Sequence, residues 1–186
     1  MQATGQRSSP TGQRTDRSDG TPPLTIRPAT ADDGAAMWDL AQGAVDDNSP
    51  YSYLLIGEYF GDTCVIAERE GDVLGFVTGF RRPDEPRTQF VWQIVVGEAG
   101  RGEGLGSKML EALVDGPGPG TPADCLEATV TPDNAASQAL FRSFARRRSA
   151  ECVETVLFRR EQFPVDAGEH EPEVLFRIGP WPDRSD

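Results

Sequence analysis

Positive charge is scarce in this 186-residue sequence: 18 Lys and Arg stand against 30 Asp and Glu, for a formal net charge of −12. A nucleic-acid surface needs clustered basic side chains to replace phosphate counterions, and an anionic membrane is held in the same way, so both partners are excluded. A cationic substrate is attracted by the same field. Lysine occurs once, at Lys108, and histidine once, at His170. The three cysteines, Cys64, Cys125 and Cys152, are far apart and odd in number. They make neither a disulfide framework nor a zinc knuckle, no metal is expected, and they read as small buried apolar groups. No apolar run approaches the length of a bilayer span, and the first residues lack the apolar core of a secretory signal. The cytoplasm is the expected compartment.

The modest apolar fraction, 37%, is concentrated after residue 23. Residues 1–23 are mostly Gly, Ser, Thr, Gln and Arg, with only Met1 and Ala3 apolar; they cannot bury enough surface to offset their ordering entropy, and read as a disordered tail. One domain is expected over 24–179, with a short tail at 180–186. Leu24 to Pro28 alternates apolar and polar residues and ends at a proline, as a short edge strand does. Thr30 with Asp33 opens a first helix, and Asn48-Ser49-Pro50 breaks it and caps a second. Residues 63–68 and 73–80 form a hairpin turning at Arg69-Glu70-Gly71-Asp72, and Phe90 to Val96, the most apolar run, is a central strand. A helix over 102–115, a strand over 126–130, a helix over 134–147 and strands over 153–158 and 173–178 complete the chain. This order predicts an α/β fold with a mixed, mostly antiparallel central sheet and helices on both faces.

Arg101-Gly102-Glu103-Gly104-Leu105-Gly106 directly follows the central strand and opens a helix. Free N–H groups and the positive end of the dipole make a helix start a phosphate site, and glycines let the backbone approach the anion. Arg101 adds charge-assisted hydrogen bonds. Glycines also serve tight strand-to-helix packing, which is the plain alternative. No Gly-Lys-Ser/Thr closes a P-loop, and the antiparallel strands before the turn do not suit a dinucleotide fingerprint.

Arg-x-x-Gly-x-Gly after a long central strand, in this order of elements, resembles the acyl-CoA motif of the GCN5-related N-acetyltransferases. Thr131-Pro132-Asp133-Asn134-Ala135-Ala136-Ser137 resembles that family's second segment, in which the Asn contacts the cofactor arm; Asn134 also suits an ordinary helix cap. Asp46 to Leu55, Phe90-Val91-Trp92-Gln93, Leu126 to Ser137 and Glu173 to Ile178 are similar to the diaminobutyrate acetyltransferase family of ectoine synthesis. The resemblance implies the GCN5-related fold and acetyl-CoA as co-substrate, held by Ile94, Val95, Val96, Arg101 to Gly106 and Asn134. It further implies L-2,4-diaminobutyrate as acceptor at its 4-amino group, and a homodimer.

An alkylammonium has a pKa of about 10, so a base must take a proton before the nitrogen attacks a thioester, and the developing oxyanion needs a fixed donor. The resemblance places that donor on the central strand, at the N–H of Val95 or Val96. Where the family often has a Tyr to protonate the departing thiolate, this sequence has Phe141. Water, Tyr51 or no acid at all then remains. Ammonium groups call for carboxylates and an aromatic face, and Asp46, Tyr51 and Trp92 are the candidates. A helix-terminal acid, a core Tyr and a core Trp are the plain alternatives. In the acidic stretch from Glu161 to Glu173, the resemblance makes His170 and Glu173 substrate contacts, with Glu173 the proton acceptor. Arg81, Arg82 and Arg87 are candidates for the substrate carboxylate, although surface solvation suits them better. Other readings are acetylation of another diamine or polyamine, a non-catalytic acyl-CoA-binding regulator, and a peptide N-acetyltransferase.

Overall fold

A computed structural model describes residues 22–45, 48–116, 122–164 and 170–182. Strand β1 (Thr25–Pro28) leads through a single 3-10 turn to α1 (Gly34–Ala41) and α2 (Pro50–Tyr59). Strands β2 (Val65–Arg69), β3 (Asp72–Arg81) and β4 (Thr88–Val96) follow, then α3 (Leu105–Asp115), β5 (Cys125–Val130) and α4 (Ala135–Arg147). Strands β6 (Cys152–Phe158) and β7 (Glu173–Ile178) end the order, which is the order expected. The strands make one seven-stranded sheet, β1-β2-β3-β4-β5-β7-β6, antiparallel throughout except between β4 and β5.

Alternation along the strands builds two cores. Cys64, Ile66 and Phe76 pack with Met37 and Tyr53, under α1 and α2. Val65, Ala67 and Val77 point the other way, to Leu110 of α3 and Phe144 of α4. The period of two therefore sends each strand's apolar side chains into both layers, as a sheet covered on both faces requires. The β2–β3 hairpin is tight: Arg69 pairs with Asp72, and Glu70 and Gly71 both have positive φ, 53° and 89°. That is the primed turn whose twist matches the flanking strands.

Several boundaries shift by a residue or two from the sequence reading, and two of the shifts have a clear physical cause. Helix α3 begins at Leu105, not at 102, because Gly102 and Gly104 take positive φ and form a turn ahead of it. At the other end the fold continues past 179. Trp181 is buried, meets Phe144 edge-to-face at 5.9 Å between centroids, and lies under the Arg148 guanidinium. Its indole buries too much apolar surface to be left in a tail.

Arg27 fastens the edge strand to the first turn. Its guanidinium donates to both Asp33 oxygens, at 2.9 and 2.7 Å, and to Glu68 of β2 at 2.8 Å. Asp33 also accepts from the Thr30 N–H and hydroxyl. Burial works against ionisation of Asp33, but the hydrogen bonds from Arg27 and Thr30 outweigh it and hold its carboxyl below the usual range. A folded pKa below the unfolded one gives stability that is complete above about pH 4 and lost as pH falls through the folded value. Asp33→Asn is expected to cost about 1–3 kcal/mol at neutral pH. It should also flatten the loss of stability on acidification, as denaturant titrations at neutral pH and at about pH 3 would show.

Candidate active site

The site begins with a break in strand pairing. Thr88 to Val91 of β4 pair in parallel with Cys125 to Ala128 of β5, and there the pairing stops although both strands continue. On the opposite side, Thr78 pairs with Gln93 and Gly79 with Val91, which leaves Trp92 as an extra residue. A bulge of this kind bends its strand and turns the following side chains over. Val91 accordingly lies in the core under α3 and α4, and Val95 in the core under α1 and α2. Beyond the bulge, β4 bends away from β5 and a wedge opens between them.

The wedge is a cleft of about 740 Å³, with a smaller recess of about 90 Å³ that reaches the buried Phe141 on α4. Val45 and Asn48 line it from the link between α1 and α2, and Trp92 and Gln93 from the bulge. Thr129, Val130 and Asn134 face it from β5 and the start of α4, and Glu173 from the start of β7. Trp92 is 47% exposed, so it is no core tryptophan and instead presents its ring to the cleft.

The backbone of β4 supplies directed donors. Gly97 N–H donates to the Leu74 carbonyl at 2.8 Å, which makes residues 97 and 74 a hydrogen-bonded pair. Alternation then turns the N–H of Val95 toward β3 and those of Ile94 and Val96 toward the wedge. The expectation for Val95 is corrected on this ground: its N–H is taken by β3 and its side chain is buried. Ile94 also lines the recess, so its N–H is the one nearer the cleft.

At the end of β4 the glycine turn meets the start of α3. Gly102 has φ of 81° and Gly104 φ of 68°, and no protein atom lies within 4 Å of where a Cβ would stand on either. Positive φ calls for glycine here, and the open space on this side is what an approaching anion needs. The first helical bond runs from Lys108 N–H to the Gly104 carbonyl, so the N–H groups before it have no intrahelical partner. Leu105 is buried and anchors the helix start. Arg101 is exposed beside the turn.

Glu103 departs from its expected part. Its carboxylate accepts from Arg69 at 3.1 and 2.6 Å, an ion pair that holds it below the usual carboxylate range, and so only its backbone is left to meet a phosphate. Gly106 serves packing as well: a Cβ there would stand 3.4 Å from Leu140 of α4 and 3.7 Å from Ile94. Asn134 is the cap of α4, its side-chain oxygen accepting from Ser137 N–H at 3.0 Å, and it lines the cleft at the same time.

The other expected residues divide. Glu173 and Trp92 come together in the cleft. Tyr51, in the first turn of α2, is 65% exposed and is not among the residues that line the cleft. His170 stacks on Phe163 at 4.7 Å and is not among the residues that line the cleft. Asp46 lies outside the described residues, between Val45 and Asn48, which both border the cleft. Arg82 binds Asp84 and the buried Glu127, and Arg87 binds Asp124. Among the described residues that line the cleft, none is basic. No group of three or more His, Cys, Asp and Glu suited to a metal gathers among the described residues. Gln93, Thr129 and Asn48 were not singled out from the sequence. The one signal was Gln93, a polar residue inside the most apolar run of the chain.

Gly104→Val forces a β-branched residue to φ of 68° and fills the open side of the turn. It is expected to abolish the calorimetric signal with acetyl-CoA and to lower the melting temperature; binding left intact would remove the turn from that role.

The profile of the Acetyltransferase (GNAT) family matches residues 35–145. The chain is 45% identical over 166 residues to the L-2,4-diaminobutyric acid acetyltransferase of Shouchella clausii, covering 86% of this chain and 89% of that one. It is 46% identical over 157 residues to the enzyme of that name from Streptomyces coelicolor, covering 83% of this chain and 91% of that one. Among solved structures, it resembles the diaminobutyrate acetyltransferase of Paenibacillus lautus in complex with its substrate L-2,4-diaminobutyric acid and coenzyme A. That likeness has a TM-score of 0.80 and 41% identity, over 90% of this chain and 100% of that one. The overall fold is thus a known one, and this chain belongs to the GNAT family of acetyltransferases.

Proposed function

We propose that this chain transfers the acetyl group of acetyl-CoA to the 4-amino group of L-2,4-diaminobutyrate, giving N4-acetyl-L-2,4-diaminobutyrate for ectoine synthesis in the cytoplasm. One observation carries the reading. Glu173 and Trp92, a carboxylate and an aromatic face, share a cleft with the free N–H edge of β4, which runs on to the anion-binding turn of α3. The names and coverage of the relatives support the substrate pair.

Chemistry assigns the parts. The γ-ammonium gives up a proton to Glu173, directly or through water, and the nitrogen lone pair attacks the thioester carbonyl carbon. The carbonyl oxygen gains the displaced electron pair and accepts hydrogen bonds from main-chain N–H groups on the open edge of β4, Ile94 nearest the cleft and Val96 two residues on. As the tetrahedral intermediate collapses, the C–S bond breaks and the electron pair leaves on sulfur. The nitrogen releases its second proton to water, and the amide remains. Phe141, buried at the floor of the recess, has no proton to give, so the thiolate leaves without it and takes its proton from water. A thiol titrates near pH 8.5, which makes such a departure feasible. Arg101 and the backbone of residues 102–106 grip the pyrophosphate, and Asn134 meets the cofactor arm. Asp46, Tyr51 and His170 belong to the acceptor end of the site in this reading, as the family resemblance implies.

Two copies are proposed to join along β6. It is the outer strand of the sheet, and Val153, Val156, Leu157 and Phe158 are exposed on it. An apolar edge strand of this kind is ordinarily covered. Light scattering should return twice the 20.2 kDa chain mass; a monomer would overturn this part.

Mass spectrometry with fragmentation should find the acetyl group on the 4-nitrogen of diaminobutyrate, with diaminobutyrate preferred over putrescine. Acetylation of the α-nitrogen, or equal use of putrescine, would overturn the substrate assignment. Glu173→Gln should lower kcat by about 10²–10⁴-fold while acetyl-CoA binding persists. Turnover near the parent level at saturating acceptor would remove Glu173 from proton transfer.

A further inference from the structure

Helix α3 begins without the devices that usually close a helix start. Its N-cap is Gly104, no side chain caps it, and its first turn holds no acid. Such a start gives up some helix stability and leaves its N–H groups without an intrahelical partner, which suits an incoming anion. Helix α4, by contrast, is closed by Asn134, whose side-chain oxygen accepts from Ser137 N–H at 3.0 Å.

Glu103, the residue just before the Gly104 cap, is a rival for that place. The positive end of the helix attracts a carboxylate as it attracts a phosphate, and the two anions repel each other. Its neighbours do not hold it back, since Gly102 and Gly104 flank it at positive φ with open space where their Cβ atoms would stand. The restraint comes from another strand. Arg69, the last residue of β2, donates from both terminal nitrogens to the two Glu103 oxygens, at 3.1 and 2.6 Å. This two-pronged pairing fixes direction as well as charge, which a lysine ammonium would not. The Arg69 side chain is half as exposed as that of Glu103, 18% against 36%, so the acid is drawn toward the more sheltered partner. Arg69 Nε is buried and has no hydrogen-bond partner among the described residues, and the guanidinium thus spends its donors on Glu103.

We propose that Arg69 is a positioning residue for the cofactor: by holding the Glu103 carboxylate it keeps that side chain off the start of α3, and so sets the affinity for the pyrophosphate of acetyl-CoA. This rests on the pyrophosphate site proposed above and adds to it a residue from β2. Repulsion between exposed charges is the means, so the effect is greatest in dilute salt and fades as ions screen it.

The test is Arg69→Ala in two backgrounds, the parent and Glu103→Gln, with acetyl-CoA binding read by calorimetry. In the parent background the affinity should fall about 3- to 20-fold at about 10 mM salt, and the loss should shrink at about 1 M, where the Debye length is about 3 Å. With Gln at 103 the same change should cost less than about twofold, because no carboxylate is left to restrain. Binding of S-acetylpantetheine, which lacks the pyrophosphate, should not respond to Arg69→Ala. Glu103→Asp keeps the charge but shortens its reach to Arg69. It lies in an exposed turn, so it answers the question even if Arg69→Ala folds poorly, and its affinity should fall below that of Glu103→Gln. Equal losses in both backgrounds would show Arg69 acting on its own and overturn the proposal, as would an unchanged affinity or an equal loss with S-acetylpantetheine. A parent protein that binds S-acetylpantetheine as tightly as acetyl-CoA would overturn the pyrophosphate site itself, and this proposal with it.

Discussion

The extra residue at Trp92 is the constraint on which the rest of this molecule depends. Had β4 kept its parallel register with β5 to Val96, the main-chain donors of Ile94 and Val96 would be bound in a ladder and the sheet would be closed. One inserted residue bends the strand, ends the pairing at Val91 and turns the following side chains over. Gln93 and Val95 then join the layer of α1 and α2, while Trp92 stands out into the gap. Buried polar groups left without partners cost about 1–3 kcal/mol each, so an opened sheet edge is kept only where an incoming group completes it.

The division of charge follows the same geometry. Across the lower sheet, Glu127 is buried between Arg82 and Arg177, and Glu85 and Asp84 complete the set. These bases are neutralised where they stand and contribute little to the field in the cleft. The cleft itself is lined by an acid, an aromatic ring and neutral polar groups, which is the environment an ammonium group prefers. At the head of α3 the sign is reversed by N–H groups that have no intrahelical partner, with Arg101 beside them. Glu103, which would oppose an anion, is drawn aside by Arg69. One end of the β4 edge thus favours a cation and the other a phosphate.

Helix and strand identities were readable in the sequence because they rest on local periodicity. The apolar, β-branched run of Cys64, Val65, Ile66 and Ala67 and the helical stripe from Leu105 to Val114 state their element without help from the rest of the chain. The glycine turn was readable for the same reason, since positive φ at Gly102 and Gly104 is a local demand. Trp181 was misplaced in a tail because a lone aromatic after Gly179-Pro180 carries no period, and its partners Phe144 and Arg148 lie far back in the chain.

The sequence by itself determined the elements, their order, the acidic balance and the glycine turn, all of which follow from neighbours within a few residues. It also brought Trp92, Asn134 and Glu173 forward through likeness to a family. Only the tertiary structure decided that β4 carries a bulge, which N–H groups face the wedge, that the Tyr53 hydroxyl meets the Gln93 side chain from 40 positions away, and that Arg82, Arg87 and Arg177 are held in ion pairs. Register and side-chain pairing are set between strands distant in sequence, and a shift of one residue turns every side chain to the other face without altering the local pattern.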